Sequence, residues 1–183
     1  LPHYWGRTGF RTSEERAIGF AYTFLGIRIQ CAQCHKHPFD QWAKSDFDAF
    51  KNFFNHVNIV PYGAADKDGK DDYDKILKKL GLDKSELRGN QLRNELERNL
   101  KQGKTAPFPD IAARGGRGGA AKARVLGGDE VDLTKIDDAR QPVMDWLRAK
   151  DNPYFAKAFV NRVWSNYFNV GIVEPPDDLS LGN

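Results

Sequence analysis

Apolar residues gather at helical spacing towards the two ends of the chain, and the middle is polar. Residues 1 to 11 set Tyr4, Trp5 and Phe10 around Gly6 and Gly9, a pattern that reads as an extended lead-in. Thr12-Ser13-Glu14-Glu15 then has the form of a capping box, in which Thr12 accepts from the third helical amide while Glu15 reaches back. The helix it starts places Ala17, Ile18, Ala21, Phe24 and Leu25 on one stripe, with Phe20 beside them, until Gly26 ends it. Ile27-Arg28-Ile29-Gln30 alternates apolar and polar and predicts a short extended link. Ser45-Asp46 predicts a second cap, before a helix that gathers Phe47, Phe50, Phe54 and Val57, with Phe53 adjacent and His56 near its end.

From Pro61 to Asp72 the pattern predicts a solvated loop, whose acidic spacing resembles a calcium loop only superficially, since glycine comes too early and no glutamate closes it. Tyr73 to Leu80 predicts a short basic helix, and Ser85 to Gln102 a longer one with Leu92, Leu96 and Leu100 at four-residue steps before Gly103. Thr105 to Gly128 is irregular. Its Gly115-Gly116-Arg117-Gly118-Gly119 lacks the strand and the Lys-Ser or Lys-Thr of a phosphate loop, so it reads as a linker, with Ala123-Arg124-Val125-Leu126 opening the next unit. Asp137-Asp138 begins a helix that runs through Trp146-Leu147. A last helix, with Pro153 at its start, is expected to turn Phe155, Phe159, Val160, Val163, Trp164 and Phe168 inward and to leave a short extended tail over 171 to 178.

Composition changes this picture in three places. Twelve Phe, six Tyr and four Trp in 183 residues suit either a dense core or the lining of a large flat apolar ring. A net charge of only +3, with both signs interleaved, argues against a nucleic-acid partner, which would call for a concentrated basic face. No apolar run approaches the roughly 20 residues that cross a bilayer, so no transmembrane segment is expected. With Leu1-Pro2-His3 first and no initiator methionine, the chain reads as a processed or partial one.

The candidate chemistry is concentrated in Cys31-Ala32-Gln33-Cys34-His35, followed by Lys36-His37-Pro38-Phe39-Asp40-Gln41-Trp42. Both cysteines and two of the four histidines lie here. C-x-x-C-H is the attachment signature of haem c, in which each thiol adds across a porphyrin vinyl group and the histidine binds the iron. On that reading Cys31, Cys34 and His35 hold the cofactor, His37 reaches a propionate or the ring edge, and Trp42, Phe50 and Phe54 exclude water from it. His56 is the leading candidate for a second iron ligand beside His35, ahead of a vacant or water-bound position and of Met144, the single methionine. Zinc is the main alternative, with Cys31, Cys34, His35 and His37 as ligands. A redox dithiol fits less well, because Pro38 follows and no βαβ pattern surrounds it. A structural disulfide or buried thiol pair also remains open.

Two longer stretches carry a family resemblance. Thr23-Phe24-Leu25-Gly26 through Trp42, within residues 12 to 57, resembles the end of the planctomycete cytochrome-like domain. Arg140, Trp146-Leu147, Asp151-Asn152-Pro153-Tyr154-Phe155-Ala156 and Val160-Asn161-Arg162-Val163-Trp164, within 122 to 183, resemble the start of the planctomycete-specific domain that usually follows it. The resemblance implies a secreted, multi-domain bacterial protein and places Cys31, Cys34 and His35 as haem-binding, with His37, Asp40 and Trp42 in the same block. It implies no reaction. The sequence departs from the pattern at Ser165-Asn166, where variants carry a small residue and a histidine, so a distal ligand from that place is not open to this chain.

The expectation is therefore a mainly α protein: an irregular, cytochrome-c-like helical module over 1–60, a polar linker with a helical insertion over 61–121, and a second small helical unit over 122–183. Its expected role is one-electron transfer rather than catalysis, in a periplasmic or extracellular setting. Its expected partners are other redox proteins or subunits of a larger complex. A zinc- or disulfide-stabilised interaction module is the alternative. No serine elbow or helical pair of metal histidines supports a hydrolase.

Overall fold

The structure, a computed structural model, describes residue 10 and residues 12–60, 67–107, 110–112 and 120–182. The expected lead-in over 1 to 11 and the glycine-rich stretch 115 to 119 lie outside them, apart from Phe10. The fold is mainly α. In chain order it runs α1 (Ser13–Phe20), a π-helical turn (Ala21–Leu25), a 3-10 helix (Gln30–Gln33), α2 (Lys44–Asn55) and β1 (Asn58–Val60). Then come α3 (Lys67–Lys79), α4 (Gly89–Lys101), β2 (Asp110–Ala112), β3 (Lys122–Arg124), β4 (Glu130–Asp132), a 3-10 helix (Leu133–Lys135), α5 (Gln141–Arg148) and α6 (Phe155–Phe168).

Two compact units result, one of Asn58–Ala112 and the other of Thr8–Val57 with Ala113–Asn183. The division expected at 60 and 121 thus separates two stretches that share one core, because β3 lies along α2. Arg124 pairs with Asp46 at 2.8 Å, Asn52 Nδ2 donates to the Lys122 carbonyl at 2.9 Å, and His56 Nε2 meets the Ala120 carbonyl at 3.2 Å. These three contacts, stepping along the helix as the strand runs the other way, fix the direction of β3.

The capping box forms as expected, with Thr12 Oγ1 accepting from the Glu15 amide and Glu15 Oε2 accepting from the Thr12 amide, both at 3.1 Å. The last turn of this helix widens to π geometry before Gly26 closes it at φ +65°. Widening loosens the helical ladder, and the Arg162 guanidinium on α6 donates to the Tyr22 and Thr23 carbonyls there. α2 starts at Lys44, earlier than Ser45-Asp46 suggested. Asp46 Oδ2 accepts from the Ala43 amide at 2.8 Å, so it caps from inside the first turn.

α1 and α2 meet through aromatic rings. Phe20 lies 6.1 Å from Phe50 and 5.7 Å from Phe54, Phe50 and Phe54 are 5.3 Å apart, and Trp146 on α5 closes on Phe50 at 6.4 Å. Such tilted pairs add about 0.5–1.5 kcal/mol each beyond the area they bury.

In the other unit, β1 and β2 pair antiparallel with Asn58 opposite Ala112. α3 begins at Lys67, so the loop expected as far as Asp72 ends sooner. Opposite charges three residues apart, such as Asp72 and Lys75 at 2.9 Å, favour continuing the helix. In α4 Leu96 is buried and Asn99 beside it, while Leu100 is exposed. Four-residue steps rotate about 40° per step on a 3.6-residue helix, which carries Leu100 off the buried face.

The largest departure is α6. Phe155, Phe159, Val160, Val163, Trp164 and Phe168 were expected to face inward, yet Phe159 is 62 % exposed, Phe168 58 % and Trp164 43 %. The buried positions are Ala158 and Asn161. Ala158 faces Gly26, where a Cβ on the glycine would stand only 3.0 Å from the Ala158 Cβ. Close approach through the two small residues turns the bulky stripe away. The helix starts at Phe155, because the Asn152 Oδ1 takes the Tyr154 and Phe155 amides at 3.0 and 2.9 Å. α5 likewise starts later than expected, at Gln141, with Asp138 accepting the Arg140 amide at 2.8 Å in front of it.

Phe50→Ala should lower stability by about 3–5 kcal/mol in chemical denaturation, whereas Phe159→Ala should change it by about 0.5 kcal/mol or less. Asp177 supplies a pH dependence. Burial raises its pKa, but the hydrogen bond from Tyr22 and the Arg28 guanidinium outweigh this and hold the carboxyl below its ordinary value. Its contribution is complete above about pH 4 and is lost as pH falls through the folded value. An acid titration of stability should be flatter at its low end in Asp177→Asn than in the native chain.

Candidate functional site: the Cys31–Trp42 loop

Residues 26 to 42 leave the core and return to it. Ile27 and Ile29 are buried and Arg28 between them is not, so the alternation anchors the outgoing segment by its isoleucines. The Ala32 amide donates to the Ile29 carbonyl at 3.0 Å, and Ala32 is fully buried. With Ala32 pinned inward, the turn presents Cys31 and Cys34 outward, both exposed and both free thiols. The Cys34 and His35 amides each reach the Cys31 carbonyl at 3.4 Å, which folds the motif onto one turn.

The histidine hydrogen bonds fix their tautomers. His35 is exposed, and its Nδ1 lies 2.7 Å from the Lys36 carbonyl. A carbonyl only accepts, so Nδ1 carries the proton and the lone pair of the neutral ring sits on Nε2. His37 is buried and reversed: the Phe39 amide donates to its Nδ1 at 3.2 Å, which leaves Nε2 as the N–H. The His37 amide donates to the Trp42 carbonyl at 2.7 Å and closes the loop at the start of α2. Trp42 is buried against Tyr154, ring centroids 6.2 Å apart, and its indole N–H has no partner.

His56 caps the C-terminal end of α2. Its Nε2–H donates to the Ala120 carbonyl at 3.2 Å, and the lone pair at Nδ1 is buried without a partner. A ligating imidazole has just this form. Among the described residues, however, no three His, Cys, Asp or Glu side chains stand close enough together to hold one metal ion. The four-ligand set of Cys31, Cys34, His35 and His37 is thus not assembled in this structure. The lone pair that His37 would offer at Nδ1 is already taken by the Phe39 amide. Phe50 and Phe54 have no exposed surface, and Phe20, Trp146 and each other occupy their rings. They are core in this structure and do not line the thiol surface. Met144 is half-buried in α5.

Haem c requires two accessible thiols and a neighbouring imidazole. Two free, exposed thiols on one turn and an imidazole with an outward lone pair meet its covalent and ligand demands, while the expected wall of Phe50 and Phe54 is sealed away. Sequence reasoning missed the C-terminal stretch from Asp177 to Gly182, which touches the loop at both of its ends. Nothing local marks residues about 150 positions away as neighbours.

The fold and the loop together define a helical protein that offers a thiol pair and one imidazole on an exposed turn. Residues 7–59 match the PSCyt2 family model, described as a protein of unknown function (DUF1549), and residues 139–183 match the PSD1 model, described as a protein of unknown function (DUF1553). Both are planctomycete-type domains, in the order that the motifs suggested. No curated protein and no solved structure matches the chain. Among the described residues no helix is long and apolar enough to cross a membrane.

In protein without a group on the loop, a thiol reagent should titrate both cysteines in native buffer, at rates within a few-fold of the denatured chain. A thiol that reacts only after denaturation would contradict the exposed turn.

Proposed function

We propose that the Cys31–Trp42 loop carries haem c and that the protein passes single electrons within a larger extracytoplasmic redox assembly. Cys31 and Cys34 tether the group, and His35 binds the iron through Nε2. The bound haem supplies reversible one-electron exchange. The observation that carries this reading is the His35 Nδ1–H held by the Lys36 carbonyl, because it orients the ring and leaves Nε2 as the ligand atom. His37, with Nε2–H as a donor, suits the edge or an acidic group of a porphyrin better than a metal. The partners on this reading are other redox proteins or subunits of a larger complex, in the periplasm or outside the cell.

A zinc- or disulfide-stabilised interaction module is the second reading, and the free, adjacent thiols are what favour it. It must do without the Nδ1 lone pair of His37.

Production in a host that matures c-type cytochromes, followed by acid-acetone extraction and a pyridine haemochrome spectrum, tests the proposal. A haemochrome band should stay with the protein, be lost in Cys31→Ala with Cys34→Ala, and persist in His35→Ala with the spectrum of the ligated iron altered. A colourless protein holding stoichiometric zinc, or one with Cys31 joined to Cys34, would sink it.

A further inference from the structure

The excursion from Gly26 to Phe39 that bears the thiols has its two ends on one short stretch of chain. At the outgoing end, the Leu179 amide donates to the Gly26 carbonyl at 2.7 Å. Arg28 pairs with Asp177 at 2.8 Å, and Tyr22 also hydrogen-bonds the Asp177 carboxylate. At the returning end, Gly182 packs on Phe39 so closely that a Cβ added to it would stand 2.8 Å from the Phe39 Cβ and 3.1 Å from the Phe39 carbonyl oxygen. Upstream the same stretch is fixed to α6. Asn161, buried on that helix, donates to the Val173 and Pro176 carbonyls at 2.8 and 3.1 Å and accepts the Val173 amide at 2.9 Å.

We propose that Asp177–Gly182 is a clasp across the neck of the Cys31–His35 loop, through which the stretch matched to the second family orders the thiol-bearing turn of the first. The physical basis is loop closure. Thirteen peptide links between Gly26 and Phe39 otherwise lose their order at the cost of few local bonds, because only Gly26, Ile27, Ile29, Ala32 and His37 are buried among them. Fastening both ends to one stretch, itself anchored upstream by Asn161, removes that freedom without covering the thiols. Asp177 is a positioning residue: it touches neither thiol and acts through Arg28, three residues before Cys31. The proposal does not depend on what the thiols bind.

Amide hydrogen exchange of the full chain, read residue by residue, tests it. In Asp177→Ala and in Leu179→Pro, which lacks the donor to Gly26, the Ala32 and His37 amides should exchange on the order of tenfold faster. Asp177→Glu should recover most of the protection, and the Phe50 amide in α2 should not change in any of the three. Unchanged exchange at Ala32 and His37 in Leu179→Pro would overturn the proposal. So would equal acceleration at Phe50, which would reduce the stretch to a general stabiliser. Because exchange is read with or without a bound group, failure here is distinguishable from failure of the haem reading.

Discussion

The structure depends on the contact of α1 with α2 through Phe20, Phe50 and Phe54. Fully buried rings at 5 to 6 Å spacing leave little room for either helix to slide, because interiors are packed to crystal-like density. The Cys31–Trp42 loop is the connection between these helices, so their fixed placement sets where it leaves and re-enters the core. The same packing leaves the phenylalanines without exposed surface. The aromatic richness of the α2 stretch therefore serves the platform under the site rather than the site itself.

A second constraint comes from small residues. Gly26 takes a left-handed conformation at the end of the π turn and also lies under Ala158. One position thus ends a helix, admits α6, and frees a carbonyl for Leu179. Arg162, one turn along from Ala158, fills the helix end that the π turn opens and lies 5.6 Å over the Tyr22 ring. These contacts join the two stretches that match separate families into a single core, and they leave the apolar stripe of α6 outward.

The imidazoles show how hydrogen bonding sorts residues that look alike in a motif. His35 and His37 are two positions apart, yet a carbonyl beside one and an amide beside the other give them opposite tautomers. One keeps an outward lone pair and the other spends its own inside the loop. His56 has a lone pair without a partner too, and its other ring nitrogen is held by the Ala120 carbonyl, two residues before β3.

The sequence by itself determined what depends on neighbours within a few positions. That includes the Thr12–Glu15 box, the stop at Gly26, the phenylalanine stripe of α2, and the compact C-x-x-C-H turn, because hydrogen-bond partners and period lie within one or two turns of chain. It overreached wherever a local pattern had two outcomes. An apolar stripe on α6 permits burial on either side, and only the close fit of Ala158 on Gly26 decided which. The strands β3 and β4 were invisible because three-residue strands carry no periodicity, and β3 is held by side chains of α2 more than by its own sequence. The tautomers and the Asp177–Gly182 clasp were decided by the tertiary structure alone, since the first turn on which backbone atom happens to face a ring, and the second on an ion pair 149 residues apart in the chain.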